Sequence, residues 1–468
     1  MTAEIPRLAL AAPASGAGKT TLTCALLRAF QQKGLKPAAF KCGPDYIDPM
    51  FHRQITGAKS GNIDLFFASE DLARGLFCRQ AAGCGLALIE GAMGYYDGVA
   101  SSDQASAWQA ARALAAPAVL IAQPRGAALT LAAALKGLLE FRPDSRIQAA
   151  LLNRCSEGTY RRMKLLLERE LGVPVMGYLP ELPECRIESR HLGLVTAQET
   201  EDLRRKIQLL ADQAARTVDL EGLLELAQSA PPLRGDLPAV APVACRKPVI
   251  ALAQDRAFCF YYPENLALLE ELGAEIRPFS PLEDGELPAD ADALYLGGGY
   301  PELYGETLAQ NRTMAESVRR AVESGLPTLA ECGGFLYLHQ AIEDREGRRW
   351  PAAGVFPGLC RPTGGLRRFG YVELTAKRDN LLCPAGETVR GHEFHYWESD
   401  DCGGDFRAEK PLSSRGWDCV HAGQTLYAGF PHLYFYSNPA FAARFVQAAA
   451  DWNRKRQEDK ETKRGERT

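Results

Sequence analysis

The sequence predicts an α/β protein of two domains, the first of which is a doubly wound parallel sheet with a phosphate-binding loop (P-loop). Three observations predict it. The chain has 468 residues, which is too long for one ordinary hydrophobic core. In both halves, short apolar runs alternate with helical patterns, as is typical of parallel sheets covered by helices. Between the halves, residues 229–248 are rich in proline and alanine and lack periodicity, which favours a linker.

Composition narrows the class of protein. The net charge is −4 and the isoelectric point is about 6.1, so neither nucleic acid nor an anionic membrane is expected as a partner. No apolar run approaches the ~20 residues that span a bilayer. The first one, Leu8–Ala12, leads into a glycine-rich loop and is interpreted as a strand, not a signal peptide. The 13 cysteines are scattered without a CxxC pair, which favours a reduced, cytoplasmic protein over a disulfide framework or a zinc site.

Each half yields its own set of elements. In the first half we predict helices at 20–32, 101–115 and 159–171, and strands at 7–12, 37–41, 86–90, 118–122 and 148–153. In the second half we predict helices at 263–272 and 306–324, and strands at 249–253, 293–296 and 327–330. The expected organisation is a first domain at 1–228, a linker at 229–248, a second domain at 249–450 and a charged tail at 451–468.

A phosphate loop follows the first strand. Residues 13–21 read Pro-Ala-Ser-Gly-Ala-Gly-Lys-Thr-Thr, which matches GxxxxGK[ST] except that Pro13 replaces the first glycine. Such a loop points backbone N–H groups at phosphate oxygens, and the next helix adds its N-terminal partial charge. A glycine-rich turn without a ligand is the alternative. The predicted ATP-binding residues of this segment are Ser15, Gly16, Gly18, Lys19, Thr20 and Thr21.

Acidic residues end or follow two other strands of the first half. Glu90 closes an apolar strand, as a Walker B acid that holds magnesium does. Lys41 closes another, and Asp45 and Asp48 follow it at a spacing that places both on one face of a helical turn. We predict that Lys41 contacts ATP and that Thr20, Asp48 and Glu90 bind Mg²⁺; a solvated turn is the alternative for the aspartates.

A second site is predicted around Cys332. Residues 328–334 run from a strand into a helix with small neighbours on both sides of the cysteine, as a nucleophile elbow requires. The glycines of 297–299 follow another strand. We predict that the backbone N–H groups of Gly298, Gly299 and Gly333 form an oxyanion hole. His432 ends a later apolar strand and is the expected proton carrier. An inert buried cysteine and a structural histidine are the alternatives. The segment 391–396, Gly-His-Glu-Phe-His-Tyr, is interpreted equally as a substrate pocket or a structural strand.

These motifs in this order resemble the cobyrinic acid a,c-diamide synthase family. The most specific segments are 40–49, 90–94, 296–303 and 391–396, and the resemblance covers residues 7–450. It implies a dethiobiotin-synthetase-like ATPase fused to a class I glutamine amidotransferase domain. It further implies that glutamine is hydrolysed at Cys332 and that ATP with magnesium activates the a- and c-carboxylates of cobyrinate, in cobalamin biosynthesis. On the same resemblance Asp45, Tyr46, Asp48, Glu90 and Asp97 act in substrate activation.

The resemblance leaves several points open. Asn153, at a strand end, either contacts the adenine or caps the strand. Tyr434 stands two residues after His432, where many class I domains have a glutamate, so a Cys–His dyad is expected. Hydrogenobyrinate, nickel-sirohydrochlorin and sirohaem are alternative tetrapyrroles, and a partitioning-type ATPase switch is the alternative from another class. The expected partners are the tetrapyrrole, glutamine and ATP; the oligomeric state stays open, with a homodimer as one option.

Overall fold

The computed structural model describes residues 2–186, 197–243 and 247–465. The chain divides into two compact units, Met1–Pro238 and Ala239–Thr468. Within the described ranges no helix is long and apolar enough to cross a bilayer. Both units are α/β, as the sequence predicts, and both contain a largely parallel central sheet.

The first unit is built on a seven-stranded parallel sheet. Its strands are β1 Arg7–Ala11, β2 Pro37–Cys42, β3 Lys59–Ile63, β4 Leu86–Glu90, β5 Ala118–Ala122, β6 Ile147–Asn153 and β7 Val175–Leu179, in the spatial order β3-β2-β4-β1-β5-β6-β7. The helices are α1 Lys19–Gln32, α2 Ile47–Phe51, α3 Glu70–Gln80, α4 Ala107–Ala113, α5 Leu129–Glu140, α6 Glu157–Leu171, α7 Ala197–Thr217 and α8 Leu220–Gln228. A π-helical turn, His52–Thr56, continues α2 directly.

Alternate residues of each central strand face opposite sides of this sheet. Leu8 and Leu10 pack into one hydrophobic core, and Ala9 and Ala11 pack into another on the other face. Both faces are therefore covered by helices, which explains why the strands are near-continuous apolar runs. The carboxyl ends of β1, β2 and β4 lie side by side, since these strands are neighbours and parallel.

The second unit contains a six-stranded sheet and a separate, mainly antiparallel one. The strands are β8 Val249–Ala253, β9 Phe258–Phe260, β10 Glu275–Phe279, β11 Ala293–Leu296, β12 Gly298–Gly299, β13 Thr328–Glu331, β14 His339–Glu343, β15 Arg349–Pro351, β16 Phe356–Ala376, β17 Thr388–Ser399, β18 Phe406–Glu409, β19 Gly416–Cys419, β20 His421–Ala422, β21 Leu426–Gly429 and β22 His432–Leu433. The helices are α9 Pro263–Glu271, α10 Gly305–Gln310, α11 Arg312–Glu323, α12 Gly333–Tyr337 and α13 Pro439–Gly465.

The six-stranded sheet has the order β10-β8-β11-β13-β21-β20, and only β20 at its edge is antiparallel. The long hairpin of β16 and β17 dominates the other sheet and was not predicted from the sequence. β22 joins that hairpin through the register pair His392 and His432. The residues at the end of β21 thus pass directly from one sheet to the other.

The described part of the predicted linker, residues 229–243 and 247–248, makes a few local contacts. Leu233 and Arg234 form a short antiparallel ladder with Thr2 and Ala3, so the first part of this stretch is paired with the first unit. The backbone N–H of Val243 donates to the Leu272 carbonyl of the second unit. The apolar side chain of Leu233 is buried and fixes the chain locally.

Candidate active site

A cavity of about 1120 Å³ opens at the carboxyl edge of the first sheet. It brings together residues that the sequence places far apart on the loop after β1, after β2 and at the ends of β4 and β6. Eleven of the predicted site residues line it: Ser15, Gly16, Gly18, Lys19, Thr20, Thr21, Lys41, Asp45, Asp48, Glu90 and Asn153. Ligands bind at this edge in open parallel sheets, so the position suits a nucleotide.

The backbone of the phosphate loop has the positive φ angles that glycine permits, at Gly16 and Gly18. Gly18 precedes α1 with φ +86°, and a Cβ atom there would lie 2.1 Å from the side-chain nitrogen of Asn153. Only glycine therefore suits this position. The Asn153 amide donates to the Ala17 carbonyl at 2.8 Å, so in the ligand-free protein Asn153 holds the loop in place. Lys19 Nζ donates to the carbonyls of Ala14 and Met93, at 3.2 and 2.5 Å.

A buried polar cluster lies beneath the loop. Glu90 is fully buried; its Oε1 accepts from Thr20 Oγ1 at 2.6 Å and from Lys41 Nζ at 2.7 Å. Lys41 Nζ also lies 2.5 Å from Asp48 Oδ2. The second Glu90 oxygen lies 3.1 Å from His52 Nε2, and His52 is fully buried in the π-helical turn. Lys41 and Glu90, near or at the ends of β2 and β4, and Asp48 in α2 therefore lie close to Thr20.

The charges of this cluster shift its pKa values in opposite directions. Burial alone would raise the pKa of Glu90, but Lys41 and His52 outweigh it and hold that pKa well below its usual range. Burial and then the charge of Glu90 raise the pKa of Asp48 to about 7, against the pull of Lys41. Burial lowers the pKa of Lys19, and Lys41 lowers it further. Before ligands bind, the cluster therefore holds one firm carboxylate and one that titrates near neutrality.

The oxygen donors of the cluster fit magnesium. Thr20 Oγ1 lies 2.6 Å from Glu90 Oε1 and 3.4 Å from Asp48 Oδ2, so one hydroxyl and two carboxylates converge. Magnesium prefers such hard oxygen ligands and completes its shell with phosphate and water. Among the described residues no group of three His, Cys, Asp or Glu side chains is placed to hold a metal by itself. The donor set thus suits an ion that arrives with a nucleotide, and Lys41 already places a positive charge between the two acids.

Three other predicted residues have local contacts. Asp45 Oδ1 accepts from the backbone N–H groups of Ile47 and Asp48, at 2.8 and 3.1 Å, and so caps the turn that carries Asp48. Asp97 Oδ2 accepts from the Gly94 N–H at 2.9 Å and closes the glycine-rich loop on itself. Tyr46 immediately precedes α2. Neither Tyr46 nor Asp97 is among the residues that line the cavity in the described part of the chain.

In the second unit, Cys332 occupies a sharp turn between β13 and α12. Its φ is +48° and its ψ is −102°, a conformation that costs free energy in a residue with a side chain and that marks a nucleophile elbow. Its backbone N–H donates to the Gly429 carbonyl at 2.8 Å. The neighbouring Gly334 has no room for a side chain, because a Cβ atom would lie 2.1 Å from the Leu296 carbonyl oxygen.

The predicted oxyanion glycines and His432 lie together beside this elbow. A Cβ atom built on Gly298 would lie 2.2 Å from His432 Cε1, and one on Gly333 would lie 3.0 Å from the Gly299 nitrogen. His432 is 2% exposed. The structure thus brings together Gly298, Gly299, Gly333 and His432 at the end of the strand that leads to Cys332.

The surroundings of Cys332 raise the pKa of its thiol, although a thiol at the N-terminus of a helix ordinarily has a lowered pKa. Burial, and next the charge of Glu302, raise the pKa of the Cys332 thiol well above its ordinary value. The first turn of α12 does not outweigh these effects, because the thiol is 5% exposed and its Sγ lies 3.8 Å from the Phe394 carbonyl oxygen, which takes its weak hydrogen bond. Burial therefore favours the neutral thiol, so Cys332 needs a base before it can act as a nucleophile.

The histidines of segment 391–396 have different surroundings. His395 Nε2 contacts Glu393 Oε1 at 2.9 Å, and its ring stacks on Phe430 at 3.9 Å, which is a packing arrangement. His392 lies opposite His432 in the ladder of β17 and β22. Burial, and next His432, lower the pKa of His392 to about 3, so it stays neutral. His395 therefore supports the sheet, while His392 lies beside the reactive histidine.

Sequence reasoning missed two buried residues. His52 contacts Glu90, and nothing in its local pattern marks it, because a π-helical turn has no sequence signature here. Glu331 Oε2 lies 3.8 Å from His432 Nδ1. It ends an apolar strand just as Glu90 does, and that pattern was the available signal. Arg125 and Arg154 also line the nucleotide cavity and were not predicted.

Comparison with known proteins assigns a different family model to each half of the chain. Residues 8–195 match the CobQ/CobB/MinD/ParA nucleotide binding domain, and residues 249–439 match the CobB/CobQ-like glutamine amidotransferase domain. A protein of Caldanaerobacter subterraneus named cobyrinate a,c-diamide synthase is 37% identical over 94% of this chain and 98% of its own. Proteins of the same name from Clostridium tetani and Thermoplasma volcanium are 36% and 35% identical, over 94% and 97% of this chain and 99% of each relative.

The close approach of Gly298 to His432 gives a first prediction. Gly298→Ala should lower glutamine hydrolysis about 100-fold, because the new methyl group displaces the His432 ring by an ångström or more. Glutaminase assays measure the effect. Gly364→Ala is the matched control, since a Cβ atom there meets nothing within 4 Å. Equal glutaminase rates in the two variants would contradict the assigned geometry.

Proposed function

Because the chain belongs to the cobyrinate a,c-diamide synthase family, we propose that it converts the a- and c-side-chain carboxylates of cobyrinate into amides, with ATP and glutamine as co-substrates, in cobalamin biosynthesis. The observation that carries this proposal is the coexistence in one chain of a phosphate-loop cavity with buried acids and a cysteine elbow with a histidine. A carboxylate does not react with an amine in water unless it is activated, and these two sites supply activation and nitrogen.

The activation step belongs to the first unit. A carboxylate oxygen of the substrate attacks the γ-phosphorus of ATP, the bond to ADP breaks, and an acyl phosphate forms. Lys19 and the N–H groups of residues 15–21 hold the phosphates. Lys41, held by Asp48 and Glu90, adds positive charge where negative charge develops. Asp45 keeps the Asp48 turn in place, and Asn153, which lines the same cavity, is proposed to contact the adenine.

Magnesium is the cofactor that these residues suit. Thr20, Asp48 and Glu90 would hold it, the carboxylates directly or through water. When bound, the ion neutralises phosphate charge and orients the terminal phosphate for in-line transfer. Tyr46 and Asp97 are proposed to contact the tetrapyrrole as the loop 91–98 approaches it.

Ammonia is produced in the second unit. The Cys332 thiol gives its proton to His432, and the thiolate attacks the amide carbon of glutamine. The N–H groups around Gly298, Gly299 and Gly333 stabilise the oxyanion. The histidine protonates the leaving nitrogen, and ammonia departs. Water then cleaves the thioester to glutamate and restores the thiol. Ammonia displaces phosphate from the acyl phosphate, and the cycle repeats on the second side chain.

An alternative function is less well supported if it gives no role to the residues of one of the two sites. A partitioning-type ATPase switch has no use for the strained Cys332 or for His432, so the second unit disfavours it. Nickel-sirohydrochlorin or sirohaem amidation would use the same residues and differs only in the macrocycle. Cytoplasmic location and a homodimer stay predictions. The domain limits 1–228 and 249–450 are proposed as the functional division of the chain.

A substrate panel tests the reaction itself. Incubation with ATP, Mg²⁺ and glutamine should convert cobyrinate into its a,c-diamide, with two glutamates released per corrin, as followed by mass spectrometry. Hydrogenobyrinate, nickel-sirohydrochlorin and sirohaem are the matched competitors. Turnover of nickel-sirohydrochlorin without turnover of cobyrinate would overturn the proposed substrate but not the reaction class.

A pair of variants separates the two sites. Cys332→Ala should lose glutamine-dependent synthesis by at least about 1,000-fold and retain synthesis with free ammonia, because only the nucleophile is removed. Lys19→Ala should lose synthesis with either nitrogen source, because phosphate is no longer held. Amide formation is measured with glutamine and with ammonium chloride. Glutamine-dependent synthesis by Cys332→Ala would rule out this nucleophile.

The raised pKa of Asp48 predicts how nucleotide binding depends on pH. With a pKa of about 7 before ligands bind, Asp48 is protonated below neutrality, whereas a bound cation favours the carboxylate. MgATP should therefore bind about tenfold more weakly at pH 6 than at pH 8. Titration calorimetry at both pH values measures this, and it should register proton release at pH 6.5. Asp48→Asn is the control, in which both effects should vanish; their persistence would assign them to another group.

A further inference from the structure

Glu331 lies next to Cys332 in sequence and next to His432 in space. It ends β13 and is 2% exposed. Its Oε1 accepts from the Leu433 backbone N–H at 2.9 Å, and its Oε2 accepts from the Tyr295 hydroxyl at 2.9 Å. The same Oε2 lies 3.8 Å from His432 Nδ1. The side chain therefore contacts both the ring of His432 and the backbone of the following residue.

These contacts fix the carboxylate rigidly. Tyr295 belongs to the adjacent strand β11, and Leu433 belongs to β22, which is hydrogen-bonded to the long hairpin of the other sheet. Glu331 thus joins three strands at the point where the chain passes from β21 to β22. A buried carboxylate is costly unless it is hydrogen-bonded and meets positive charge, and two neutral donors leave room for a charged partner.

The orientation of His432 matters because its two nitrogens must do different work. The nitrogen that takes the Cys332 proton has to be unprotonated at rest, which requires the proton on the other one. Nδ1 is the nitrogen that faces Glu331, at 3.8 Å. A carboxylate at that side favours the tautomer with the proton on Nδ1 and leaves Nε2 as the base.

We propose that Glu331 is a positioning residue that completes a Cys332–His432–Glu331 triad, in place of the glutamate expected two residues after the histidine. The inference rests on the proposed glutamine hydrolysis. The Cys332 proton moves to Nε2, and the thiolate forms a bond to the amide carbon. The resulting imidazolium is stabilised by the Glu331 charge until it gives the proton to the departing nitrogen.

The dyad expected from Tyr434 is therefore revised. Tyr434 packs its ring against Tyr262, at a centroid distance of 5.2 Å and an angle of 79°, and it is 2% exposed. The third member comes instead from the residue before the nucleophile. This position couples the two reactive groups, since a single peptide bond joins Glu331 to Cys332. The burial that raises the pKa of the Cys332 thiol makes such support necessary, because the proton must leave a neutral thiol.

Glu331→Gln tests the proposal. The amide is nearly isosteric and can still accept from Leu433, but it carries no charge. The kcat of glutamine hydrolysis should fall about 100-fold to 10,000-fold, as for loss of a triad acid, while the KM for glutamine changes less than about threefold. Synthesis with free ammonia should proceed at a rate close to that of the parent enzyme. Glu331→Asp, which keeps the charge, should recover at least about tenfold of the lost kcat.

Tyr295→Phe is the matched control. This change removes the hydrogen bond that the Tyr295 hydroxyl donates to Glu331, but the carboxylate of Glu331 keeps its charge. The kcat of glutamine hydrolysis should therefore fall less than about tenfold. The proposal is overturned if Glu331→Gln keeps its kcat, if the loss appears in KM alone, or if glutamine- and ammonia-dependent synthesis fall together. The last outcome would show a structural role. A parent enzyme that hydrolyses no glutamine would instead refute the proposed function, which keeps the two failures distinct.

Discussion

A fully buried carboxylate at the end of β4 is the constraint on which the first site depends. An ionised Glu90 without compensation would cost several kcal/mol, so the fold must deliver positive charge and donors to it. Lys41 does so from the end of β2, Thr20 from the first turn of α1, and His52 from the π-helical turn. Each donor stands on a different element, and the parallel order of β2, β4 and β1 brings those elements together. The cluster therefore ties the phosphate loop to the turn that carries Asp48.

The second unit also contains a buried carboxylate at the end of a strand, that of Glu331. Glu331 also ends an apolar strand, is also buried, and is also fixed by neighbouring strands. The difference lies in the partners. Glu90 meets a permanently charged lysine, which suits a site for phosphate and metal. Glu331 accepts hydrogen bonds from two neutral donors and lies beside His432, which is protonated only during the proposed reaction. A carboxylate in the first setting is a fixed electrostatic anchor, and in the second it is available to stabilise a transient imidazolium.

Sequence patterns predicted what depends on local chemistry. The phosphate loop, the strand that ends in Glu90 and the small residues around Cys332 each have a physical reason at fixed spacing. In the first unit the loop and Glu90 line one cavity, and in the second unit the predicted glycines lie beside His432. The long hairpin β16–β17 was missed, because its exposed middle and glycines interrupt the alternation that identifies a strand. Helix 306–324 was predicted as one element and is two, since Asn311 caps the second. The acid at the end of an apolar strand was a signal for Glu331, but the partners of His52 and Glu331 are distant in sequence, so no local pattern specifies those contacts.

The resting state of Cys332 has a consequence for the chemistry. Ammonia released before an acyl phosphate exists would be lost, mostly as ammonium at neutral pH, and each wasted glutamine would bring no product. A thiol whose burial raises its pKa does not attack by itself. In the proposed mechanism it attacks after His432 has taken its proton. Strain at the Cys332 elbow and a held carboxylate at Glu331 fix the donor and the acceptor of that proton in place. The Cys332 elbow and the fixed Glu331 carboxylate therefore favour transfer of this proton to His432 when glutamine is bound.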